Sequence, residues 1–577
     1  MVNNKIDSIN YNVLGLAASS LISLLLGFFI FDKEHVSIIF YRTGYYFIFI
    51  TTILWVVNLI PEKNLKEICL NWFHDNLIAI VFSILLMFGM YLSCSPQFRI
   101  LADETNLASI AYSMYREKEF FNSTSGFNIY DSYNNIHHVW GTRPLFFPFL
   151  VNIIHTLTGY RAENVFFLNA IGGMGTLLVF YSIVRLWYSK FEAIMGMLLL
   201  ASFPVIVLCI TSGGFEILNL FFILISFYLL INFFQNKTSK RLERLILTLI
   251  LLSQIRYESV IFLIILLLIF IVLFFRYDEF RILSKKILFF PFLLLPIAWQ
   301  RSITMSSEQL IGNLEVESDV FSLTGFGSKI FEFFSYFSTN SYSHNTIPII
   351  FYIGLIGLAF GFIKFLKNYN DDDFEKMILI LYSFLTLFFL FLIINLYNQP
   401  QGGISHPTTI RLGIIYLPIL VFGTVIIISE LFKHFNFNQQ YFIVIPFCFL
   451  LWYWPIAKNN HSVNTLVISR EYKSILSFLN ANYQNNNLII VTTSPGLYTP
   501  HNWGSVYFQF AIDNKNELIE KLKTKLVQEI LVIQNIDLVN LMPTKETELN
   551  INLKLEKVFE MRESGDYFIR ISRIIVE

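Results

Sequence analysis

From Val260 to Phe275 every side chain is apolar, and a run of that kind can rest only in a large protein core or in lipid. Near-continuous apolar runs recur at Val81–Leu92 and Leu245–Leu252. Only 14% of the 577 residues are charged, against about a quarter in ordinary soluble proteins, and mean hydropathy is +0.58. A water-soluble fold would lack the polar surface to cover itself, so the chain reads as a polytopic α-helical membrane protein.

A bilayer needs about 20 largely apolar residues per crossing helix. On that rule membrane helices are expected at 11–31, 36–59, 77–95, 164–184, 191–210, 214–233, 245–256, 258–275, 287–300, 347–367, 377–396, 409–430 and 440–457. That is about thirteen, an odd number, which puts the two termini on opposite sides. Pro144–Gly159 is too short for a comfortable crossing and opens on proline, so it reads as a helix lying at the interface. The first apolar stretch, Val13–Phe31, lacks a cleavage site and has Lys5 alone as its basic lead, which makes it a retained helix.

Orientation follows from where Lys and Arg collect. With the N-terminus cytoplasmic, the inner loops hold Lys63 and Lys66, Arg185 and Lys190, then Lys237, Lys240, Arg241 and Arg244, then Arg276, Arg281, Lys285 and Lys286, and finally Lys364, Lys367 and Lys376. The short outer loops Thr211–Phe215 and Tyr397–Thr409 carry neither residue. Counting Pro144–Gly159 as a crossing would put Lys237–Arg244 outside and break the alternation.

Three divisions result. Residues 1–60 form an N-terminal helix pair, 61–457 a transmembrane module with outer loops 95–163 and 301–346, and 458–577 a soluble extracytoplasmic α/β domain. In that last part a helix is expected at Glu471–Tyr483 and another at Lys515–Val527. Strands are expected at Asn487–Thr493, Ser505–Phe510, Ile530–Gln534, Ile551–Phe559 and Tyr567–Ile575. No Gly-x-Gly-x-x-Gly or Walker pattern accompanies them, and the zero net charge without a basic tract argues against a nucleic-acid partner. The cysteines Cys69, Cys94, Cys209 and Cys448 show neither CxxC nor zinc-ligand spacing.

Charges at a membrane edge are costly and are functional candidates by default. Asp103 and Glu104 follow the third span by a few residues and open an expected helix, Glu104–Tyr115. They are either a cap favoured by the helix dipole or a general base for an incoming hydroxyl. Arg143, in His137-His138-Val-Trp-Gly-Thr-Arg143-Pro144, stands at the start of the interfacial helix. It suits either a snorkelling anchor or a phosphate, for which the guanidinium fork and the helix amides are both good partners. Arg256-Tyr257-Glu258 lies between two apolar helices, where an internal ion pair would also explain it. Arg411 follows Ser405-His406-Pro407 in the first turn of a late span, and Glu216 opens the sixth span after Ser212-Gly-Gly-Phe. On the orientation above all of these fall on the outer side, where positive-inside anchoring explains none of the three arginines.

In these features the chain resembles the GT-C superfamily of polyprenyl-phosphate-sugar-dependent glycosyltransferases. The nearest branch contains protein O-mannosyltransferases and bacterial aminoarabinose and related lipid transferases. There an Asp-Glu pair opens the first large outer loop, as Asp103-Glu104 does, and an Arg-Pro-Leu stretch leads into an interfacial helix, as Arg143-Pro144-Leu145 does. Arg256-Tyr257-Glu258 matches an Arg-Tyr-Glu-like element, and Arg411-Leu412 loosely matches an Arg-Tyr-Leu-Leu-like one. The likeness covers roughly 75–457. The helices at 11–59 are an addition, Glu216 stands where Asp is common, and no Tyr follows Arg411.

The resemblance implies an inverting, mannosyltransferase-like glycosyltransferase of the cell envelope, in a bacterial inner or plasma membrane. Asp103, Glu104 and Glu216 would be catalytic, and Arg143, Arg256, Arg411 and His406 would bind the donor phosphate. His138, Tyr257 and Glu258 would touch substrate. No cofactor is implied with certainty, although Asp103, Glu216 and His138 could hold a divalent cation. Partners would be a polyprenyl-phosphate-linked sugar and a lipid, glycan or protein acceptor. The competing classes are a polysaccharide polymerase or ligase and a flippase or transporter. Transporters tend to show internal repeats and midplane charges, and neither is evident here.

Overall fold

The computed structural model describes residues 11–60, 65–129, 132–141, 143–277, 283–311, 323, 325–339, 346–367, 374–396, 410–435, 439–463, 467–483, 487–549, 553–562 and 567–575. The chain divides into two compact units. The first comprises Met1–Pro96, Pro144–Phe147 and Phe166–Asn464. The second comprises Gln97–Arg143, Pro148–Val165 and Thr465–Glu577.

The first unit is helical. All thirteen expected segments contain helix, and among the described residues eight helices are long and apolar enough to cross a membrane, nine if one bent pair counts as a single span. The bent pair corrects the single helix expected at 191–210. Lys190–Ala201 and Pro204–Ile210 meet at 75°. Pro204 disfavours helical backbone at the residue before it, and Phe203 takes an extended conformation, φ −68° and ψ 123°. Around residues 287–300 the backbone is 3-10 from Lys285 to Leu294, with Pro291 inside it, before an α-helix runs Leu295–Ile311.

Helix Pro348–Lys367 packs on Leu417–Phe435 through glycine. A Cβ on Gly357 would run into the carbonyl of Gly423, and one on Gly423 into the carbonyl of Gly354. Small residues let membrane helices approach to backbone contact, where dispersion replaces the absent hydrophobic drive. The helix so held continues directly from the 3-10 turn Ile410–Tyr416, which carries Arg411.

The second unit is built on a seven-stranded sheet of order β2-β1-β4-β3-β5-β7-β6. The strands are β1 Phe121–Ile129, β2 Ser132–Trp140, β3 Leu488–Val491, β4 Gly504–Val506, β5 Glu529–Asp537, β6 Lys554–Met561 and β7 Tyr567–Ile575. Strand β3 lies parallel to β4 and β5, and the remaining pairings are antiparallel. The hairpin β1–β2 is absent from the sequence-based expectation. It joins the C-terminal strands by pairing Gly126 with Ser505. The expected strand Ser505–Phe510 is corrected as well: β4 ends at Val506 and Phe508–Asp513 is helical. Phe127, Ile489, Val491, Val506, Leu518, Ile530, Val532 and Ile574 form one core, so side chains of the first loop and of the C-terminal segment share it.

Two imidazoles are held neutral in this unit. Burial pushes His155 and His501 down to about 4. A histidine whose folded value lies below its unfolded value of about 6.5 contributes stability that is complete above pH 6.5 and is lost as pH falls toward 4. The second unit is therefore expected to weaken by a few kcal/mol between about pH 6.5 and 4. Replacing both histidines with Gln is expected to flatten that decline, read as the pH dependence of hydrogen exchange in β3 and β5.

Candidate functional site

Two clusters of charge stand at helix starts, one in each unit. In the second unit the helix Leu101–Arg116 carries both acids of the Asp-Glu pair in its opening turns. Glu104 is fully buried, and its oxygens accept the backbone amides of Arg99 at 3.0 Å and Ile100 at 3.4 Å. It thereby satisfies donors that no helical partner reaches, and places a carboxylate at the positive end of the helix. Asp103 remains partly exposed and takes a different partner, the guanidinium of Arg143. The two acids are neighbours in sequence with different roles. Glu104 fixes the helix start, and Asp103 faces a cation 40 positions further along.

His137 and His138 lie on β2, where successive side chains point to opposite faces. His138 is exposed, packs on Phe121 at 4.9 Å between ring centres, and is held below its ordinary pKa by burial first and then by His137. Among the described residues no three His, Cys, Asp or Glu side chains gather as metal ligands.

In the first unit the cluster is centred on Glu216, the first residue of the helix Glu216–Gln235 and almost wholly buried. Arg411 Nη1 lies 2.8 Å from Glu216 Oε1, and Arg256 Nη1 lies 3.9 Å from the same oxygen. Arg256 also reaches Glu258 with two donors, Nε at 3.3 Å and Nη2 at 3.2 Å, and its guanidinium stacks over Phe215 at 5.0 Å. Arg256 thus forms the internal pair with Glu258 and also lies beside Glu216. Tyr257 and Glu258 form the 3-10 turn Tyr257–Ser259, Tyr257 half-buried and Glu258 exposed. His406 lies outside the described residues.

The scaffold behind Glu216 is invisible to the sequence reading. Asn169 donates from Nδ2 to the carbonyls of Ser212 at 2.6 Å and Gly214 at 2.7 Å, fixing the turn that feeds Glu216 into its helix. Gly214 leaves the carboxylate its place, because a Cβ there would run into Glu216 Oε2. The Arg256 turn is fastened too: Ser259 Oγ donates to Asn219 Oδ1 at 2.8 Å, and the Phe146 amide donates to the Gln254 carbonyl at 2.9 Å. Gly-Gly before Glu216 is plain in the sequence, whereas the Asn169 contact, 43 and 45 positions away, is not. Gly214→Ala is expected to displace the carboxylate and loosen both arginines, lowering the thermal midpoint by the equivalent of about 1–3 kcal/mol. The measurement is thermal unfolding of the solubilised full-length protein.

Chemically, a carboxylate beside two guanidiniums orients them while engaging only some of the five N–H donors that each carries. Such a cluster is pre-organised for an anion with several acceptor oxygens. A partly exposed aspartate beside an arginine is kept ionised, the form in which a carboxylate can receive a proton.

Residues 142–299 match the family model described as dolichyl-phosphate-mannose-protein mannosyltransferase. Among solved structures the chain is similar to ArnT from Cupriavidus metallidurans bound to undecaprenyl phosphate, at 11% identity and TM-score 0.48, covering 87% of this chain and 98% of that one. It is similar to the oligosaccharyltransferase of Archaeoglobus fulgidus tethered to an acceptor peptide, at 12% identity and TM-score 0.43, covering 80% and 69%. The arabinosyltransferase EmbB of Mycobacterium smegmatis follows at 10% identity and TM-score 0.36, covering 75% and 44%. No curated protein sequence matches the chain.

Proposed function

We propose that this chain is a membrane glycosyltransferase of the GT-C kind that moves a sugar from a polyprenyl-phosphate donor to a lipid, glycan or protein acceptor, a reading that the family match over residues 142–299 supports. The transfer would take place at the extracytoplasmic face, with the N-terminus cytoplasmic and with inversion at the anomeric carbon. The observation that carries this reading is the pairing of Asp103 with Arg143, which joins the residue suited to be the base to one suited to hold phosphate.

In the proposed reaction the acceptor hydroxyl or amine attacks the anomeric carbon while Asp103 takes its proton. The bond from that carbon to the phosphate oxygen breaks, and the polyprenyl phosphate leaves with the electron pair. Arg143, paired with Asp103, offsets the charge that develops on the leaving oxygen, such a charge-assisted bond contributing about 1.5–3 kcal/mol. Glu104 serves this chemistry at one remove, by fixing the helix start from which Asp103 projects. Glu216 likewise aims two arginines. The matched family's description, a sugar on a dolichyl phosphate, supports the donor class.

The acceptor is best found by mass spectrometry of envelope lipids and glycans from a deletion strain against its parent. A sugar lost on deletion and restored by the wild-type chain supports the reading, and identical profiles count against it.

A further inference from the structure

The C-terminal segment meets the Asp103 helix at two levels within the second unit. Ahead of the helix, Ser469 Oγ donates to the Arg99 carbonyl at 2.7 Å and Lys473 Nζ to Gln97 Oε1 at 2.7 Å, both from the helix Val467–Asn482. Three turns along, the Tyr112 hydroxyl donates to Asn502 Oδ1 at 2.9 Å. Between these levels, the Ser123 carbonyl accepts from Ser109 on the helix and from Thr499 in the C-terminal segment, each at 3.2 Å. Tyr160 donates to the Pro500 carbonyl and Tyr472 to that of Leu497, so the stretch Pro495–Trp503 is pinned along its length.

The chemistry of the stretch suits it to hold the helix. Asn502 sits in the left-handed region, φ 60°, which asparagine tolerates better than most side chains and which turns its amide oxygen toward Tyr112. Burial pushes the Tyr112 hydroxyl up to about 12, so it stays protonated and a donor at every physiological pH. Tyr112 also meets Tyr160 at 4.8 Å and Tyr133 at 5.5 Å, edge to face, which leaves its ring little freedom.

We infer that the C-terminal domain is a positioning element for Asp103: the stretch Pro495–Trp503, acting through the Asn502–Tyr112 bond, sets the placement of the helix whose first turn carries that acid. This deepens the proposed function and rests on it only for the consequence on transfer. The placement itself can be read without substrate.

The test uses the full-length protein in nanodiscs. Asn502→Gly keeps the left-handed backbone and removes the acceptor, whereas Asn502→Asp keeps an acceptor oxygen. Tyr112→Phe removes the donor while keeping the ring. Hydrogen exchange at residues 101–106 is expected to speed up about five- to tenfold in Asn502→Gly and in Tyr112→Phe, and to return toward wild type in Asn502→Asp, with exchange in β5 and β7 unchanged. In the complemented deletion strain, the product is expected to fall about ten- to a hundredfold with Asn502→Gly and to recover with Asn502→Asp. Unchanged exchange at 101–106 in both bond-removing variants would overturn the inference, as would full product from Asn502→Gly where Asp103→Asn yields none. Full product from Asp103→Asn would instead overturn the catalytic reading and leave the exchange result standing.

Discussion

Asp103→Asn is expected to lower transfer by about 10²–10⁴-fold while the protein stays folded. Asparagine has nearly the same shape and keeps an oxygen for Arg143, so the contact between the two motifs survives while the proton acceptor is lost. The neighbouring acid provides the contrast. Glu104 is buried and accepts two backbone amides, so Glu104→Gln turns one of those contacts into donor against donor. Its loss should appear first as a lowered thermal midpoint and faster exchange at the helix start. Equal activity losses in the two variants, with unchanged stability in both, would contradict the division of labour between them.

Glu216→Gln is expected to be the most destabilising single change in the first unit. Two guanidiniums share that carboxylate in a site where Glu216 and Arg411 are nearly inaccessible. Breaking a buried pair costs about 3–5 kcal/mol, chiefly because the partner is left charged and uncompensated. Arg256 retains Glu258, whereas Arg411 loses the carboxylate 2.8 Å from its Nη1. The double variant Glu216→Gln with Arg411→Gln is therefore expected to be more stable than the sum of the single losses by about 1–3 kcal/mol. Thermal unfolding of the four proteins in detergent measures that coupling, and strict additivity would refute a direct pair. Transfer should stay low in the double variant even where stability recovers, since an arginine proposed for the donor phosphate is gone.

The membrane class is readable from sequence because it needs only composition and run length, and both are properties of the chain itself. The helix at 101–116 is readable for a similar reason, with acids ahead of an apolar periodicity. The hairpin β1–β2 is not. Its strands are rich in Asn, Ser and His, lack a clean alternation, and gain their place from pairing Gly126 with Ser505, 379 positions away (505 minus 126). The same distance effect hides the Tyr112–Asn502 bond and the Asn169 support for Gly214. The break before Pro204 is in plain view, yet apolar run length outweighs one proline in the expected span.

At the two clusters, sequence identifies the charged residues but not their pairing. It offers Asp103, Glu104 and Glu216 alike as catalytic acids, without the partners of any of them. Burial separates the first two, and the ion contacts of Arg411 and Arg256 give Glu216 its role. Neither fact has a local signature, because each depends on a backbone amide or guanidinium brought in by the fold.

The decisive assay reconstitutes the purified chain in liposomes with a panel of polyprenyl-phosphate sugars and the acceptor found in the deletion strain. The measurement is release of free polyprenyl phosphate together with the anomeric configuration of the product. The wild type is expected to release polyprenyl phosphate with inverted product, and Asp103→Asn almost none. Wild-type levels of release by Asp103→Asn, or a product with retained configuration, would contradict that expectation.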